Sequence, residues 1–514
     1  MPPTLIRRPL AVAADPAEVF QALAGEAENA FWLDSGPAAT TGRSYLGVPA
    51  AVHPCRTWAD LRALLADLGP LSPEPEPLSP QPATLPPEPA TLSPEPATLS
   101  PEPASLPAAP AGPRFHLGWV GWLSYELGLP DGASVGPDAA MLLRVDRAVE
   151  FDHATGEVTL LALPGPDAAA WLDRTEALIT SLTLRTTHPP ADTGAHPLPV
   201  DALAHPSTGA GAGAPVLVAR PRHEYRAYAD LVDACKATIA RGDAYQLCLT
   251  NEFRVDVRPD PLSTYLRLRT LSPTHHGGYL KVGERALLSA SPEQFLAVTA
   301  GGTVSSKPIK GTRPRGAGPV EDALLARELA ASAKERAENL MIVDLVRNDL
   351  SKVAALGSVA VPVLLEVETY PQVHQLVSTV QATLAEGRTG LDAVEACFPA
   401  GSMTGAPKRS AVHRLAELEA APRGIYSGAF GYFSLDGAVD LAMVIRSIVI
   451  DGSGASVGAG GGITALSEPW DEVEETRVKA SALLAVLGAR SPEPEERPVA
   501  KVPESGPRRE RANV

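Results

Sequence analysis

The chain has 514 residues, of which 45% are hydrophobic, enough for two or three ordinary domains or for one large body with appendages. Acidic residues (60) outnumber basic ones (44), and the formal net charge of -16 argues against a surface that binds a phosphate backbone, so we expect no nucleic-acid partner. The sequence contains no segment typical of a membrane span or a signal peptide, and its four cysteines are too widely spaced for a disulfide framework or a zinc site. These features predict a cytoplasmic protein with no membrane partner.

The first 70 residues predict an N-terminal α/β part of the body. Residues 16–24 and 58–68 have helical periodicity, and residues 30–34 and 44–52 have the pattern of strands. Residues 71–113 then carry a Pro-Glu-Pro-Ala-Thr-Leu-Ser repeat with leucine every seven residues. Proline excludes a coiled coil, so the repeat is predicted to be a disordered, proline-rich insertion, with a polyproline ligand for a partner domain as the alternative.

The N-terminal region continues from 114 to 185. A strand is predicted over 114–128, a hairpin over 142–149 and 157–163, and a helix over 171–184. Residues 186–215 are rich in Gly, Pro, His and Ala and indicate a linker. Residues 216–490 form the predicted catalytic domain, beginning with a helix (222–241), a strand (244–257) and a helix (262–270), and residues 491–514 are predicted to be a disordered tail. Strands and helices come in blocks, which favours an α+β fold.

One short stretch places a carboxylate near an amine. Predicted strands at 286–290 and 295–298 flank Glu293, and Lys310 interrupts another apolar edge, so a hairpin would bring the two side chains together. Desolvation would favour the neutral, nucleophilic form of Lys310 and the protonated form of Glu293 that a general acid needs. The alternative is a surface loop with a solvated lysine and a solvated glutamate.

Carboxylate pairs occur on two predicted helices. Glu335 and Glu338 share one face of a helix predicted over 321–350, and Glu472 and Glu475 repeat the spacing with Lys479 one turn further on. Two such pairs would hold a hard cation such as Mg²⁺ between them and leave positions open for a substrate carboxylate. Solvated helix faces are the alternative.

Two glycine-rich segments predict anion-binding turns. Residues 399–408 lead into a helix predicted over 409–419, and residues 457–463 form a predicted nest after a strand over 441–450 that carries Arg446. Neither segment matches the phosphate loop or the dinucleotide fingerprint, so nucleotide chemistry is not supported.

Several motifs occur together between residues 222 and 487. They are Gly-Asp-Ala-Tyr-Gln, Ser-Pro-Glu, Pro-Ile-Lys-Gly-Thr, Glu-Asn-Leu-Met-Ile-Val-Asp-Leu-Val-Arg-Asn-Asp-Leu, Gly-Ser-Met-Thr-Gly-Ala-Pro-Lys and Glu-Glu-Thr-Arg-Val-Lys-Ala. In this order they resemble the chorismate-utilising enzymes, most closely the branch that aminates chorismate. The resemblance implies a single α+β body of stacked antiparallel β-sheets flanked by helices, with the active site near the middle.

The resemblance also implies roles for individual residues. Glu338 and Glu475 match the positions that bind Mg²⁺, with Glu335 and Glu472 completing the cage mainly through water. The metal would grip the ring carboxylate of chorismate. The positions that match the substrate-binding residues of the family are Gln246, Thr312, Ser402, Tyr426, Arg446, Gly460, Gly462 and Lys479.

Two positions separate the reactions of the family. Isochorismate and salicylate synthases have a water-activating lysine where this chain has Gln246, and anthranilate synthases have an alanine where it has Lys310. The resemblance therefore implies that Lys310 adds at C2 while Glu293 protonates the leaving C4 hydroxyl, and that ammonia then adds at C4. The product would be 4-amino-4-deoxychorismate, for para-aminobenzoate and folate or for a related aminated metabolite.

Two further comparisons with the family are less direct. Gln375 occupies the place of a histidine linked to pyruvate loss in relatives, and His374 precedes it. Glutamine cannot shuttle a proton at neutral pH, so we expect the reaction to stop before elimination unless His374 takes the role. Ser35 lies in the region, 33–36, that binds tryptophan in relatives.

Ammonia needs a source, and after Leu487 the sequence has no cysteine that would act as the nucleophile of a glutaminase. The expected partner is a separate glutamine amidotransferase subunit. Two alternatives remain open: the anthranilate-forming component of the same family, and a non-catalytic, proline-rich scaffolding subunit.

Overall fold

The computed structural model describes residues 4–66, 112–129, 139–187, 217–370 and 372–493. Helices in this part of the chain are α1 (Pro16–Ala24), α2 (Trp58–Ala66), α3 (Ala168–Thr187), α4 (Tyr225–Ala240), α5 (Pro261–Leu271), α6 (Pro319–Ala331), α7 (Ala333–Ser351), α8 (Gly390–Cys397), α9 (Lys408–Glu419) and α10 (Pro469–Val486). Strands are β1 (Ile6–Leu10), β2 (Asn29–Asp34), β3 (Arg43–Gly47), β4 (Ala51–Cys55), β5 (Gly118–Leu123), β6 (Ala140–Val145), β7 (Arg147–Asp152), β8 (Glu157–Ala162), β9 (Leu217–Val218), β10 (Arg220–Pro221), β11 (Gln246–Val255), β12 (His276–Val282), β13 (Arg285–Ser291), β14 (Gln294–Val298), β15 (Thr303–Ser306), β16 (Ile309–Pro314), β17 (Ala360–Thr369), β18 (Val373–Thr383), β19 (Gly405–Ala406), β20 (Ala429–Ser434), β21 (Val439–Met443), β22 (Ser447–Asp451), β23 (Gly454–Ile463) and β24 (Ala489–Arg490).

Two large antiparallel sheets organise the fold. Sheet A has the strand order β1-β8-β7-β3-β2-β12-β13-β22-β23-β11-β10, with β19 paired to β11. Sheet B has the order β16-β18-β15-β14-β21-β20-β5-β6-β4, with β17 paired to β18. Strands from the first 162 residues are thus hydrogen-bonded into the same sheets as strands from the C-terminal half. The α+β fold with stacked antiparallel sheets is confirmed.

Three apolar clusters fill the layers. One joins the inner faces of the two sheets and includes Phe31, Trp122 and Phe430. A second packs sheet A against α1, α3, α4, α5, α9 and α10, and a third packs sheet B against α2, α7 and α8. Since an apolar sheet face must be covered, the order of layers is helices, sheet A, sheet B, helices.

Two of the places where the chain crosses between the sheets lie next to each other. The first crossing lies between β13 and β14 and contains Glu293, and the second lies between β21 and β22 and contains Arg446, whose φ is +51°. The two crossings are hydrogen-bonded to each other: Met443 N–H donates to Glu293 O (3.0 Å) and Ala290 N–H donates to Arg446 O (3.1 Å). Both functional candidates therefore lie where the sheets meet.

Several predicted elements are divided in the structure. The strand predicted over 441–450 breaks at the second crossing, and the strand predicted over 44–52 divides into β3 of sheet A and β4 of sheet B. The helix predicted over 321–350 breaks at Ser332, whose backbone is extended and whose hydroxyl caps α7 by accepting the N–H of Glu335. In the predicted hairpin, residues 142–145 belong to sheet B, and the hairpin itself is β7 with β8 in sheet A.

The repeat at 71–111, most of the 186–215 linker and the tail from 494 lie outside the described residues. Every helix in the described part of the chain is too short or too polar to cross a lipid bilayer.

Candidate active site

A cavity of about 560 Å³ opens beside the two crossings. Strands β11, β16, β18 and β23, helices α7 and α10, and the loops that precede α9 and β20 all contribute to its wall. The predicted site residues that line it are Glu293, Lys310, Thr312, Glu335, Glu338, Gln375, Ser402, Tyr426, Arg446, Gly460, Gly462, Glu472, Glu475 and Lys479.

Glu293 and Lys310 face this cavity, but the hairpin predicted to join them is wrong. Glu293 follows a strand of sheet A, whereas Lys310 lies on β16 at the end of sheet B and pairs with β18. Glu293 is 8% exposed, and the Ser402 hydroxyl donates to its Oε1 at 3.2 Å. Burial raises the pKa of Glu293, against the opposing effects of the Lys310 ammonium, the Ser402 hydroxyl and the Ile309 backbone. Glu293 is therefore biased toward the protonated form that a proton donor needs.

Gly311 allows α7 to approach the lysine strand. Its φ is +80°, a conformation that favours glycine, and a Cβ on Gly311 would lie 3.0 Å from Cδ of Glu335. Lys310 is half-buried, and within the described residues it forms no ion pair shorter than 4.0 Å. The amine thus faces the cavity without a bound carboxylate.

The two carboxylate pairs face each other across the cavity. Burial raises the pKa of Glu338 and also that of Glu472. Partial burial would raise the pKa of Glu475 as well, but the Lys479 ammonium, whose Nζ donates to Glu475 Oε1 at 2.6 Å, holds it below its usual value. Burial opposes the charge on Lys334, yet the four carboxylates together raise its pKa.

The donor chemistry of this wall fits a hard cation. Mg²⁺ takes one or two carboxylates and keeps several waters, so Glu338 and Glu475 suffice as protein ligands. Among the described residues, no three or more His, Cys, Asp or Glu side chains converge closely enough to hold a metal ion. The four carboxylates therefore do not converge into a ready-made cage. In this respect the two pairs differ from a structural metal site, in which protein ligands fill every coordination position.

The predicted nest at 457–463 is wrong, because these residues are part of strand β23, paired with β11 on one side and β22 on the other. The glycines serve close packing instead. A Cβ on Gly458 would lie 2.2 Å from the Tyr426 ring, and a Cβ on Gly462 would lie 2.0 Å from Nε2 of Gln246. The Tyr426 ring and the Gln246 amide thus pack against β23. Tyr426 lines the cavity, whereas Gln246 is buried and is not among the lining residues.

The basic groups of the predicted substrate site lie on the same side. Lys479 Nζ donates to Gly460 O at 2.8 Å and so fixes α10 against β23. Arg446 lies within 3.5 Å of the Lys479 backbone oxygen and lines the cavity. A guanidinium and an ammonium therefore flank the glycine strand.

His374 and Gln375 point to opposite sides of β18. Gln375 lines the cavity, opposite Thr312 of β16. His374 is 2% exposed and is held by Asp322 (Nε2 to Oδ1, 2.9 Å) and Thr369 (Nδ1 to Oγ1, 2.9 Å). The imidazole faces α6, so it does not take the place of Gln375 in this arrangement.

Ser35 lies elsewhere, in a separate cavity of about 390 Å³ between β2, β12, β20 and β21. Its hydroxyl donates to Arg43 O at 2.8 Å. The neighbouring Asp34 accepts hydrogen bonds from Arg269 Nε (2.5 Å) and the Tyr265 hydroxyl (3.2 Å). The structure therefore separates Ser35 from the other predicted site residues.

The sequence reasoning missed several lining residues, among them Cys248, Arg313, Lys334 and Met403. Two of them carried a usable signal. Lys334 directly precedes Glu335 in the first turn of α7, and Cys248 lies two residues after Gln246 on the same face of β11.

Comparisons with known proteins agree with this geometry. A family model for chorismate binding enzymes matches residues 86–485. The chain is 48% identical to an aminodeoxychorismate synthase of Streptomyces pristinaespiralis over 73% of its own length and 51% of that protein. It is 38% identical to anthranilate synthase component 1 of Streptomyces coelicolor over 73% of each chain.

Among solved structures, the menaquinone-specific isochorismate synthase of Escherichia coli covers 94% of this chain with a TM-score of 0.63 and 17% identity, which is a likeness of fold. The chain belongs to the chorismate binding enzyme family. It spans about half the length of the aminodeoxychorismate synthases that it matches.

Proposed function

We propose that the chain is the component of an aminodeoxychorismate synthase that converts chorismate and ammonia to 4-amino-4-deoxychorismate and water. The observation that carries the proposal is the placement of Lys310 and Glu293 on one cavity, opposite two carboxylate pairs and beside Arg446. The 48% identity to an aminodeoxychorismate synthase supports the same reaction.

Chorismate is a dianion, and the cavity offers positive charge at both ends. Arg446 and Tyr426 would hold the enolpyruvyl carboxylate, with the amides of Gly460 and Gly462 nearby. A guanidinium suits this task because its planar donors match a carboxylate. Thr312, Ser402 and Lys479 line the remaining wall and would orient the ring.

Glu338 and Glu475 would hold Mg²⁺, with Glu335 and Glu472 acting mainly through water. When bound, the ion would neutralise the ring carboxylate of the substrate.

The first chemical step uses Lys310 and Glu293. The amine lone pair of Lys310 forms a bond to C2 of the ring, the two ring double bonds shift, and the C4–oxygen bond breaks. Glu293 gives its proton to the departing hydroxyl, which leaves as water. The raised pKa of Glu293 favours the acid form required here.

In the second step ammonia forms a bond to C4, the double bonds shift back and the Lys310 nitrogen leaves C2. Covalent catalysis thus divides one difficult substitution into two easier ones. Gln246 packs against Gly462 and is not among the lining residues, and its Oε1, which has no hydrogen-bond partner among the described residues, would accept an N–H of ammonia that reaches it. A lysine at this position would instead favour water.

Ammonia would come from a glutamine amidotransferase subunit. The reaction consumes one nitrogen per turnover, and the described residues hold no thiol outside the four buried cysteines that would serve as the nucleophile of a glutaminase. The product retains the enolpyruvyl group, so a lyase must act next to release pyruvate and form the aromatic ring.

Product analysis tests the proposal. Purified protein is incubated with chorismate, Mg²⁺ and ammonium, with a chelated sample as control, and the products are separated by chromatography and identified by mass. We expect a non-aromatic amine with the mass of 4-amino-4-deoxychorismate, formed only with Mg²⁺. The alternative is anthranilate synthase component I, supported by the 38% identity to that protein. Fluorescent anthranilate as the main product would contradict the proposal and favour that alternative.

A further inference from the structure

We infer that Arg423 is a positioning residue for chorismate, because one buried guanidinium joins three segments that line the substrate cavity, two of them through backbone carbonyls. The inference rests on the proposed function because it takes chorismate as the ligand of the cavity. The contacts of Arg423 described below do not depend on that function. Arg423 itself is 7% exposed and does not line the Lys310 cavity.

The first two links are to backbone carbonyls. Arg423 Nη1 donates to Met403 O at 2.7 Å, and Nη2 donates to Cys248 O at 2.8 Å. Met403 directly follows Ser402, and Cys248 is two residues from Gln246 on β11. The guanidinium therefore fixes the segment that carries Ser402 and the strand that carries Gln246 relative to each other.

The third link is to its own loop. Arg423 lies three residues before Tyr426, and Nη1 also reaches the Ser427 hydroxyl at 3.4 Å. Ser427 has a φ of +66°, which is strained for a residue with a side chain. The loop thus keeps an unfavourable backbone conformation while it presents the Tyr426 ring to Gly458 of β23.

The guanidinium is held on all sides. Glu419 accepts from Nε (2.8 Å) and Nη2 (2.7 Å), and its Oε1 also accepts from the Thr250 backbone and hydroxyl at 2.9 Å each. The Tyr125 ring lies 4.2 Å from the guanidinium carbon. A planar group with five donors meets these demands, whereas the ammonium of lysine, a compact charge with three donors, does not.

Residues from the N-terminal third of the chain also contact the loop that carries Arg423. Glu126 accepts the backbone N–H of Arg423 at 2.6 Å and that of Gly424 at 3.1 Å. Tyr125 N–H donates to Gly424 O at 2.9 Å. The turn at 125–128 therefore clamps the loop from the other side, which gives this part of the chain an indirect role at the substrate cavity.

The test compares Arg423→Lys with a matched control, Arg269→Lys. The Arg269 side chain is 9% exposed, pairs with a carboxylate (Asp34, 2.5 Å) and lies 4.8 Å from an aromatic ring, that of Trp32, but it lies outside the Lys310 cavity. Both variants keep the charge and lose the planar fork. Chorismate affinity is measured by isothermal titration with Mg²⁺ in a Lys310→Ala background, where no adduct on Lys310 can form, and the melting temperature of each variant is recorded. KM and kcat are measured with Lys310 present.

We expect Arg423→Lys to weaken chorismate binding at least tenfold and to raise KM by a similar factor, with kcat within threefold of wild type. Arg269→Lys should lower the melting temperature to a comparable extent without changing affinity. Affinity within twofold of wild type in Arg423→Lys would overturn the inference. So would an equal loss of affinity in both variants, since that would indicate a general effect of stability.

Glu126→Ala serves if Arg423→Lys does not fold. It removes the clamp on the loop and leaves the Arg423 guanidinium in place, so affinity should fall threefold or more, and unchanged affinity would contradict the inference. Product identity in the wild type is read separately. A protein that binds chorismate without forming 4-amino-4-deoxychorismate would contradict the proposed function, and the affinities would still decide the role of Arg423.

Discussion

Two cavities lie between the same pair of sheets, and they differ in how their charged side chains are paired. In the cavity at Ser35, Asp34 is paired with Arg269 and the Ser35 hydroxyl is bonded to the backbone of Arg43. In the cavity at Lys310, the lysine faces Glu293 and the two acidic helices without an ion pair among the described residues. Since an unpaired charge in a partly buried site costs stability, we interpret the second cavity as the one shaped for a charged substrate.

The pKa values of the titratable groups in the Ser35 cavity show the same difference between the two cavities. Burial lowers the pKa of His276 in the Ser35 cavity to about 4, so the imidazole is neutral at physiological pH. Burial also raises the pKa of Asp440, on the same wall, to about 7. This cavity is therefore poor in net charge, whereas the Lys310 cavity keeps carboxylates, ammonium groups and a guanidinium together.

The largest effect is expected from Lys310→Ala, which removes the group that most distinguishes the two cavities. Loss of the nucleophile should lower the rate of 4-amino-4-deoxychorismate formation by about 10⁴-fold, with chorismate still bound. The matched control is Lys307→Ala, an exposed lysine on the same segment, 3.9 Å from Glu368. Equal rates in the two variants would contradict the role of Lys310.

Glu293→Gln tests the acid. We expect a fall in rate of about 10³-fold, because glutamine cannot donate the proton that the leaving hydroxyl needs. In the wild type, covalent-step rates measured without ammonia should fall at high pH as Glu293 ionises, and the raised pKa should move that fall above the range of an ordinary glutamate. An unchanged rate in Glu293→Gln would assign the proton to another group.

Asp440→Asn tests the comparison at the Ser35 cavity. A folded-state pKa near 7, above the unfolded value of about 3.9, means that the contribution of Asp440 to stability is complete below pH 4 and is lost as the pH rises through 7. We therefore expect Asp440→Asn to be more stable than wild type by about 4 kcal/mol at pH 8 and equal to it near pH 4.

Chemical denaturation at the two pH values measures this difference. Asp436→Asn is the contrasting control. Burial acts against the charge of Asp436, but its bond to His116 Nδ1 (2.6 Å) and its other hydrogen bonds lower the pKa overall, so this variant should lose stability at neutral pH. The same sign of change in both variants at pH 8 would contradict the assignment.

The smallest effect is expected from Gly458→Ala. A methyl group 2.2 Å from the Tyr426 ring must displace it, so KM for chorismate should rise about tenfold while kcat changes less. Gly165→Ala, at a position with no heavy atom within 4 Å of the added Cβ, is the control. An unchanged KM would show that the Tyr426 ring does not contact the substrate.

Local patterns predicted most helices, and the family resemblance together with these patterns predicted the residues of the Lys310 cavity, but neither predicted how the strands are distributed. The run 441–450 is apolar except at Arg446 and Ser447, and only tertiary packing reveals that the chain passes from one sheet to the other at Arg446. Similarly, Glu293 and Lys310 line one cavity because of how the two sheets are placed, so a hairpin was the wrong explanation for the proximity that the motifs had indicated.

The glycines of β23 show a second reason why local sequence patterns did not predict the structure. A glycine run is typical of a turn, but here the missing side chains make room for the Tyr426 ring and the Gln246 amide, which come from distant parts of the sequence. Arg423 and Glu126 were missed for the same reason. Apart from Glu419 and Ser427, each four residues from Arg423, their partners are 20 to 298 residues away along the chain, so local spacing does not mark the arrangement.

The most direct test of the account is the intact mass of the protein after incubation with chorismate and Mg²⁺ in the absence of ammonia, followed by peptide mapping. The account predicts a chorismate-derived adduct on Lys310 that disappears when ammonium is added and is absent from Lys310→Ala. Rapid formation of 4-amino-4-deoxychorismate by a protein that never acquires this adduct would contradict it.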